Sequence, residues 1–156
     1  MGTSTFFAEI KQTLFPSRDS KDGPLPPLLV AMTVNTGLVD SFSYLVLGHI
    51  FVANMTGNVV FLAFALAGAK GFSIASSIIA IAAFLVGGLV GGFIGSRVGP
   101  RRGPLLRIAT TTQVLLVVIA LAIAMVSGNP VPTNYSYALI ITLAISMGVQ
   151  NSTAGR

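Results

Sequence analysis

The sequence predicts an all-α fold, a polytopic transmembrane helical bundle of four to five spans. Three observations predict it. First, hydrophobic residues make up 53% of the 156 residues and charged residues only 8%, whereas a soluble domain carries roughly a quarter charged residues. Second, five stretches approach the roughly 20 apolar residues needed to cross a hydrocarbon core about 30 Å thick. Third, the charges cluster. Glu9, Lys11, Arg18, Asp19, Lys21 and Asp22 stand before the first apolar run, and only Asp40, Lys70, Arg97, Arg101, Arg102, Arg107 and Arg156 follow.

These facts exclude several classes. A chain this size with so few charges cannot cover a soluble surface. Disordered chains are polar, and this one is not. There is no cysteine and only one histidine, which removes disulfide frameworks, thiol catalysis and multi-histidine metal centres. No cofactor motif is present, so none is expected. The net charge of +5 does not point to nucleic acid, because the basic residues bracket apolar runs instead of forming a basic face.

The elements follow in order. Residues 1–27 form a tail. It lacks the short apolar core and cleavage site of a signal peptide. Phe6, Phe7, Ile10 and Leu14 share one helical face that suits a membrane surface, with a partly ordered tail as the alternative. Ser17 to Pro27 reads as a linker. The transmembrane domain occupies residues 28–156. Its first span, Leu28 to Gly48, is launched by prolines. The others are Phe51 to Ala69, ended by Lys70 and Gly71; Ile74 to Ser96; Leu105 to Ser127, ended by Gly128, Asn129 and Pro130; and Tyr135 to Asn151.

Orientation depends on the second segment. If all five cross, Lys11, Arg18, Lys21 and Lys70 face one side and Arg97, Arg101, Arg102, Arg107 and Arg156 the other. The counts then barely differ. If Phe51 to Ala69 dips in and returns, Lys70 alone opposes the other eight. Five crossings are the leading expectation and re-entry is the alternative. Non-helical backbone at membrane depth is tolerated where protein buries it or water reaches it.

Asp40 is the sole acidic residue after position 22. A carboxylate at mid-span costs about 2.5–3.5 kcal/mol and usually faces the bundle interior. Thr33, Thr36, Gly37, Ser43 and Tyr44 share its helical stripe. It reads as a proton, cation or solute site, or else as a hydrogen bond pinning two helices. Asn54 and Asn58 are one turn apart, with Thr56 and Gly57 between them; their amides suit solute recognition or inter-helix bonding. Asn54-Met55-Thr56 is also a glycosylation sequon, in apolar flanks that disfavour modification. Gly87, Gly91, Gly95 and Gly99, with Gly88, Gly92 and Ser96 beside them, form ridges for tight helix packing within the bundle or between chains. A nucleotide loop would need the Lys-Ser/Thr that is missing here. His49 reads as an interfacial residue. Arg97, Arg101, Arg102 and Arg107 read as topology or anionic-lipid determinants. An enzyme would have to rely on Asp40 and His49, roughly 13 Å apart along one helix at about 1.5 Å per residue, so none is expected. Finally, Gly37-Leu-Val-Asp40-Ser41 is echoed by Gly148-Val-Gln150-Asn151-Ser152, and internal repeats mark transporter folds.

The stretches Gly37-Leu-Val-Asp40-Ser-Phe-Ser-Tyr44, Gly48-His-Ile-Phe-Val-Ala-Asn-Met-Thr-Gly-Asn58, Ala83-Phe-Leu-Val-Gly87-Gly-Leu-Val-Gly-Gly92 and Met147-Gly-Val-Gln-Asn151 resemble the YoaK family, also called DUF1275 or UPF0700. The resemblance covers about Leu28 to Asn151. It implies a multi-pass protein of the bacterial cytoplasmic membrane and assigns no activity. It also implies a second repeat that begins near Gly148 and is cut short at Arg156.

The combined expectation is a transporter-like or channel-like protein for a small solute, proton or cation, embedded in the lipid bilayer and able to form a homo-oligomer. Asp40, Asn54, Thr56, Asn58, Gln150 and Asn151 would line its path. The alternative is a structural or accessory membrane protein that assembles through the glycine ridge at Gly87, Gly88, Gly91, Gly92 and Gly95.

Overall fold

The computed structural model describes Glu9 and residues 25–98 and 102–154. The expected tail face at Phe6, Phe7, Ile10 and Leu14 lies outside the described residues, as do Gly99, Arg101 and Arg156. Helices follow one another as α1 (Leu25–Val46), α2 (Met55–Leu66), α3 (Ile74–Val98), α4 (Arg102–Ser127) and α5 (Thr133–Ala154). The chain divides into two compact units, one ending at Leu38 and the other running from Val39.

In the first unit, α1 carries exposed Leu28, Leu29, Val30, Val34 and Leu38. Pro26 and Pro27 lie within its first turn, where a missing N–H breaks no helical bond. Thr33 and Thr36 donate their hydroxyls to the carbonyls of Leu29 and Met32, at 2.9 and 2.8 Å. Each polar group is thereby satisfied by its own helix, which is what an apolar solvent requires.

The second unit is organised around α5, which packs chiefly against α3 and also against α4. Leu139, Ile140, Leu143, Ala144 and Met147 of α5 join Ala80 and Ala83 of α3 and Ala120 of α4 in the core. Glycine makes the α3–α5 contact close. A Cβ at Gly87 would sit 2.9 Å from the Cα of Ile145, and one at Gly91 would sit 3.0 Å from the Val149 carbonyl oxygen. From the α5 side, a Cβ at Gly148 would stand 2.8 Å from the Gly88 nitrogen. Close approach of small residues is how helices associate where lipid supplies no hydrophobic drive. Gly87 meets Ile145 and Gly91 meets Val149, so α3 and α5 run in the same direction.

Among the described residues, three helices are long and apolar enough to cross a membrane: Pro26–Val46, Ile74–Val98 and Arg107–Ser127. Helix α5 has the length, but its Ser, Thr, Gln and Asn residues lower its hydropathy. Gln150 engages Gln113 of α4 and Thr153 donates to the Val149 and Gln150 carbonyls, whereas the buried Ser146 hydroxyl has no hydrogen-bond partner among the described residues. The expected second span is different. It is helical only over Met55–Leu66, 12 residues, or about 18 Å at 1.5 Å per residue. That is well short of the hydrocarbon core.

Candidate functional site: a helix break held by Asp40 and Asn58

Helix α1 ends because Gly48 and His49 turn left-handed, with φ of 89° and 58°. Leu47 N–H donates to the Ser43 carbonyl and His49 N–H to the Tyr44 carbonyl, at 2.9 and 3.0 Å. This is the Schellman closure, in which glycine supplies the positive φ at no steric cost. Helix α2 ends the same way at Gly68, φ 82°, with Ala69 N–H donating to the Phe64 carbonyl.

Between the helices the backbone is irregular, and its polar groups need partners. Asp40 supplies most of them. One carboxylate oxygen accepts from Val52 N–H at 2.9 Å and Ala53 N–H at 2.8 Å, and the other accepts from Asn54 N–H at 3.0 Å. Three successive amides converging on one anion form a nest. The nest sits at the start of α2, where the helix dipole also favours negative charge. Asn58 completes the arrangement. Its side-chain oxygen accepts from Phe51 N–H at 2.9 Å, while its amide donates to the Phe51 carbonyl at 2.6 Å and to the Met55 sulfur at 3.4 Å. Asp40 is 7% exposed and Asn58 is fully buried. Gly57 faces the ring of Phe51, and a Cβ there would lie 2.7 Å from Cε2.

An aromatic cluster flanks the break. Tyr44 contacts the rings of His49, Phe51 and Phe61. Phe72 contacts His49, Phe61 and Phe64. His49 Nδ1 also lies 3.1 Å from the Gly71 carbonyl oxygen. The loop after α1 is thus joined to the loop after α2.

The structure sorts the expected site residues. It brings Asp40, Asn54, Thr56 and Asn58 together at the break. Asp40 pins a loop, where the sequence suggested a second helix as the structural partner. Asn54 caps α2 with its backbone, makes no side-chain cap bond, and is exposed together with Thr56. Gln150 is buried on α5 and engages Gln113 of α4, while Asn151 is exposed. The side-chain partner of Gln150 is thus a residue of α4 and not one of the break. Sequence reasoning missed Gln113, although a lone amide inside the apolar run of α4 was a usable signal. It also missed the ring cluster, since Phe61 and Phe72 stand out by no motif.

The expected polar stripe on α1 splits likewise: Asp40 and Ser43 are buried and Thr33 is exposed. Of the two echoed glycines, a Cβ added at Gly37 would meet nothing within 4 Å, whereas one at Gly148 would press against α3. The glycine ridge turns inward: Gly87 and Gly91 are taken by α5, Gly95 is buried, a Cβ added at Gly88 would stand 4.0 Å from the Gly148 carbonyl, and one added at Gly92 would meet nothing within 4 Å. The ridge positions a bundle partner would need at Gly87 and Gly91 are already filled within one chain. Arg97 ends α3 with its guanidinium over the Phe93 ring at 4.6 Å. Arg102 opens α4, and Arg107 is exposed.

Comparison with known proteins agrees with this membrane architecture. The model of the family described as "Protein of unknown function (DUF1275)" matches residues 28–156. Over 60 residues the chain is 40% identical to the UPF0700 transmembrane protein YoaK of Bacillus subtilis (strain 168), a stretch covering 38% of this chain and 27% of that protein. No solved structure matches. The chain is a helical integral membrane protein and belongs to the DUF1275 family.

Proposed function

We propose that the protein moves a small solute across the bacterial cytoplasmic membrane, in the manner of a transporter or channel and without catalytic chemistry of its own. The observation that carries this reading is the buried break between α1 and α2. Irregular backbone at membrane depth is costly and is tolerated where protein buries it or it lines a water-filled cavity. Discontinuous helices with a half-helix N-terminus at the break are the recurring architecture of transporter sites.

Within this reading the residues divide their work. Asp40 and Asn58 hold the frame, because their polar atoms are occupied by backbone. Three amides turn their positive ends on the Asp40 carboxylate, which opposes the approach of a cation, so Asp40 serves the path by shaping it. Asn54 and Thr56 offer exposed polar groups at the start of α2 and are the groups a neutral solute would meet. The Gln113–Gln150 pair joins α4 to α5 and lets the two move as one body, the unit that would rock against the break. Asn151 stays in reach of solvent or of another chain, in keeping with a homo-oligomer.

Stopped-flow light scattering of proteoliposomes under glycerol, urea and potassium gradients tests the proposal. Flux of at least one probe above protein-free vesicles, reduced by Asn54→Ala and Thr56→Ala, is expected. Permeability equal to protein-free vesicles for the whole panel rejects it.

A further inference from the structure

We infer that the segment from Ile50 to Ala69 does not cross the membrane: it descends beside α1, returns through α2 to the face it left, and thereby orients the protein with its basic residues inside. The order of contacts along the chain shows this, whatever solute the protein carries. Moving up α1, Asp40 meets residues 52–54 and Tyr44, one turn later, meets Phe51 and His49. The sequence numbers rise on one strand of this pairing as they fall on the other, so residues 49–54 run antiparallel to the end of α1. Along α2 the order reverses. Its first residues adjoin the Asp40 clamp, Phe61 meets Tyr44, and Gly71 and Phe72 beyond its end meet His49. Helix α2 therefore climbs in the same sense as α1, and both helices end at the same level.

Lengths agree. A crossing would set the ends of α1 and α2 on opposite faces, about 30 Å apart. His49 Nδ1 and the Gly71 carbonyl are 3.1 Å apart. The 12 residues of α2 reach only about 18 Å. The parallel packing of α3 and α5 fits too, since α4 must carry the chain back between them.

Charge then fixes the orientation. With α1, α3, α4 and α5 crossing, Lys11, Arg18 and Lys21 share a face with Arg97, Arg101, Arg102, Arg107 and Arg156, and Lys70 stands alone on the other. Basic residues in short loops remain cytoplasmic. The tail and the α3–α4 loop are inside; the α2–α3 and α4–α5 loops are outside. The re-entrant tip at Asn54 is entered from the outer face.

The native sequence has no cysteine, so single-cysteine variants report cleanly. Ser20→Cys, Ala69→Cys, Ser96→Cys and Asn134→Cys in intact bacterial cells are exposed to a membrane-impermeant maleimide, then to the same reagent after lysis. Ala69→Cys and Asn134→Cys should label in intact cells; Ser20→Cys and Ser96→Cys should label only after lysis. Labelling of Ser20→Cys and Ala69→Cys from the same face overturns re-entry. Opposite faces with Ser20→Cys outside overturns the orientation. As a second measurement, His49→Cys combined with Phe72→Cys should be bridged by a short bifunctional maleimide that cannot span the hydrocarbon core; failure to bridge a folded, membrane-inserted double variant also overturns re-entry.

Discussion

The carboxylate of Asp40 and the backbone nitrogen of Asn54 are 3.0 Å apart across a sequence separation of 14 residues. The membrane carboxylate thus spends its hydrogen-bonding capacity on the protein's own main chain. Asp40 turns an otherwise unsatisfied stretch of backbone into a defined loop between α1 and α2.

Removing that anion should be severe. Asp40→Ala strands the amides of Val52, Ala53 and Asn54, and charge-assisted bonds of this kind contribute about 1.5–3 kcal/mol each, with incomplete additivity. A loss of about 3–5 kcal/mol is expected from three such bonds after that incomplete additivity. Thermal melts followed by circular dichroism in detergent should show a clearly lower Tm. Asp40→Asn keeps one acceptor and turns an NH2 group toward a donor, so its loss should be intermediate. A Tm for Asp40→Ala equal to that of the parent would show that water replaces the carboxylate.

Asn58 presents a matched donor and acceptor to Phe51. Asn58→Leu fills similar volume and leaves both backbone groups of Phe51 unpaired in a buried site, a cost of about 2–3 kcal/mol. Asn58→Asp retains the acceptor and loses the donor. Hydrogen exchange at the Phe51 amide separates the two: fast in Asn58→Leu, slower in Asn58→Asp.

The glycines of α3 should respond by face. Gly87→Ala places a methyl against the backbone of Ile145, which must move; overpacking of this kind costs about 1–3 kcal/mol. Gly92→Ala meets nothing within 4 Å and gains helix propensity, so it should be neutral or stabilising by up to about 1 kcal/mol. Equal melting temperatures for the two variants would contradict the close α3–α5 contact.

Gly48→Ala tests the end of α1. No atom lies within 4 Å of the added methyl, so the whole effect is the positive φ of 89°, about 1 kcal/mol. Gly68→Ala at the end of α2 has φ 82° and the same open surroundings, and should lose a similar amount. Chemical denaturation that finds either variant more stable than the parent would exclude this account.

How much of this was legible beforehand differs from residue to residue. The apolar runs of α1, α3 and α4 fixed their own identity, because length and hydropathy are properties of the local chain. The end of α1 was signalled by Gly48, and the weakness of the second span by its polar opening at Asn54 to Asn58. The pairing of Asp40 with the loop was not legible, because nothing local says which of several membrane polar groups will meet. The glycine ridge illustrates the same limit: its spacing announced close packing, but only the fold chose α5 of the same chain over a second copy.

By itself, then, the sequence determined that this is a helical membrane protein with a single acidic residue inside its spans, since burial of apolar length and the cost of membrane charge are additive along a chain. Only the tertiary structure decided where that residue points and that the second apolar segment is helical over just 12 residues. Both depend on which backbone amides remain unpaired once the helices have formed, and the chain answers that demand by folding residues 50–54 back onto Asp40.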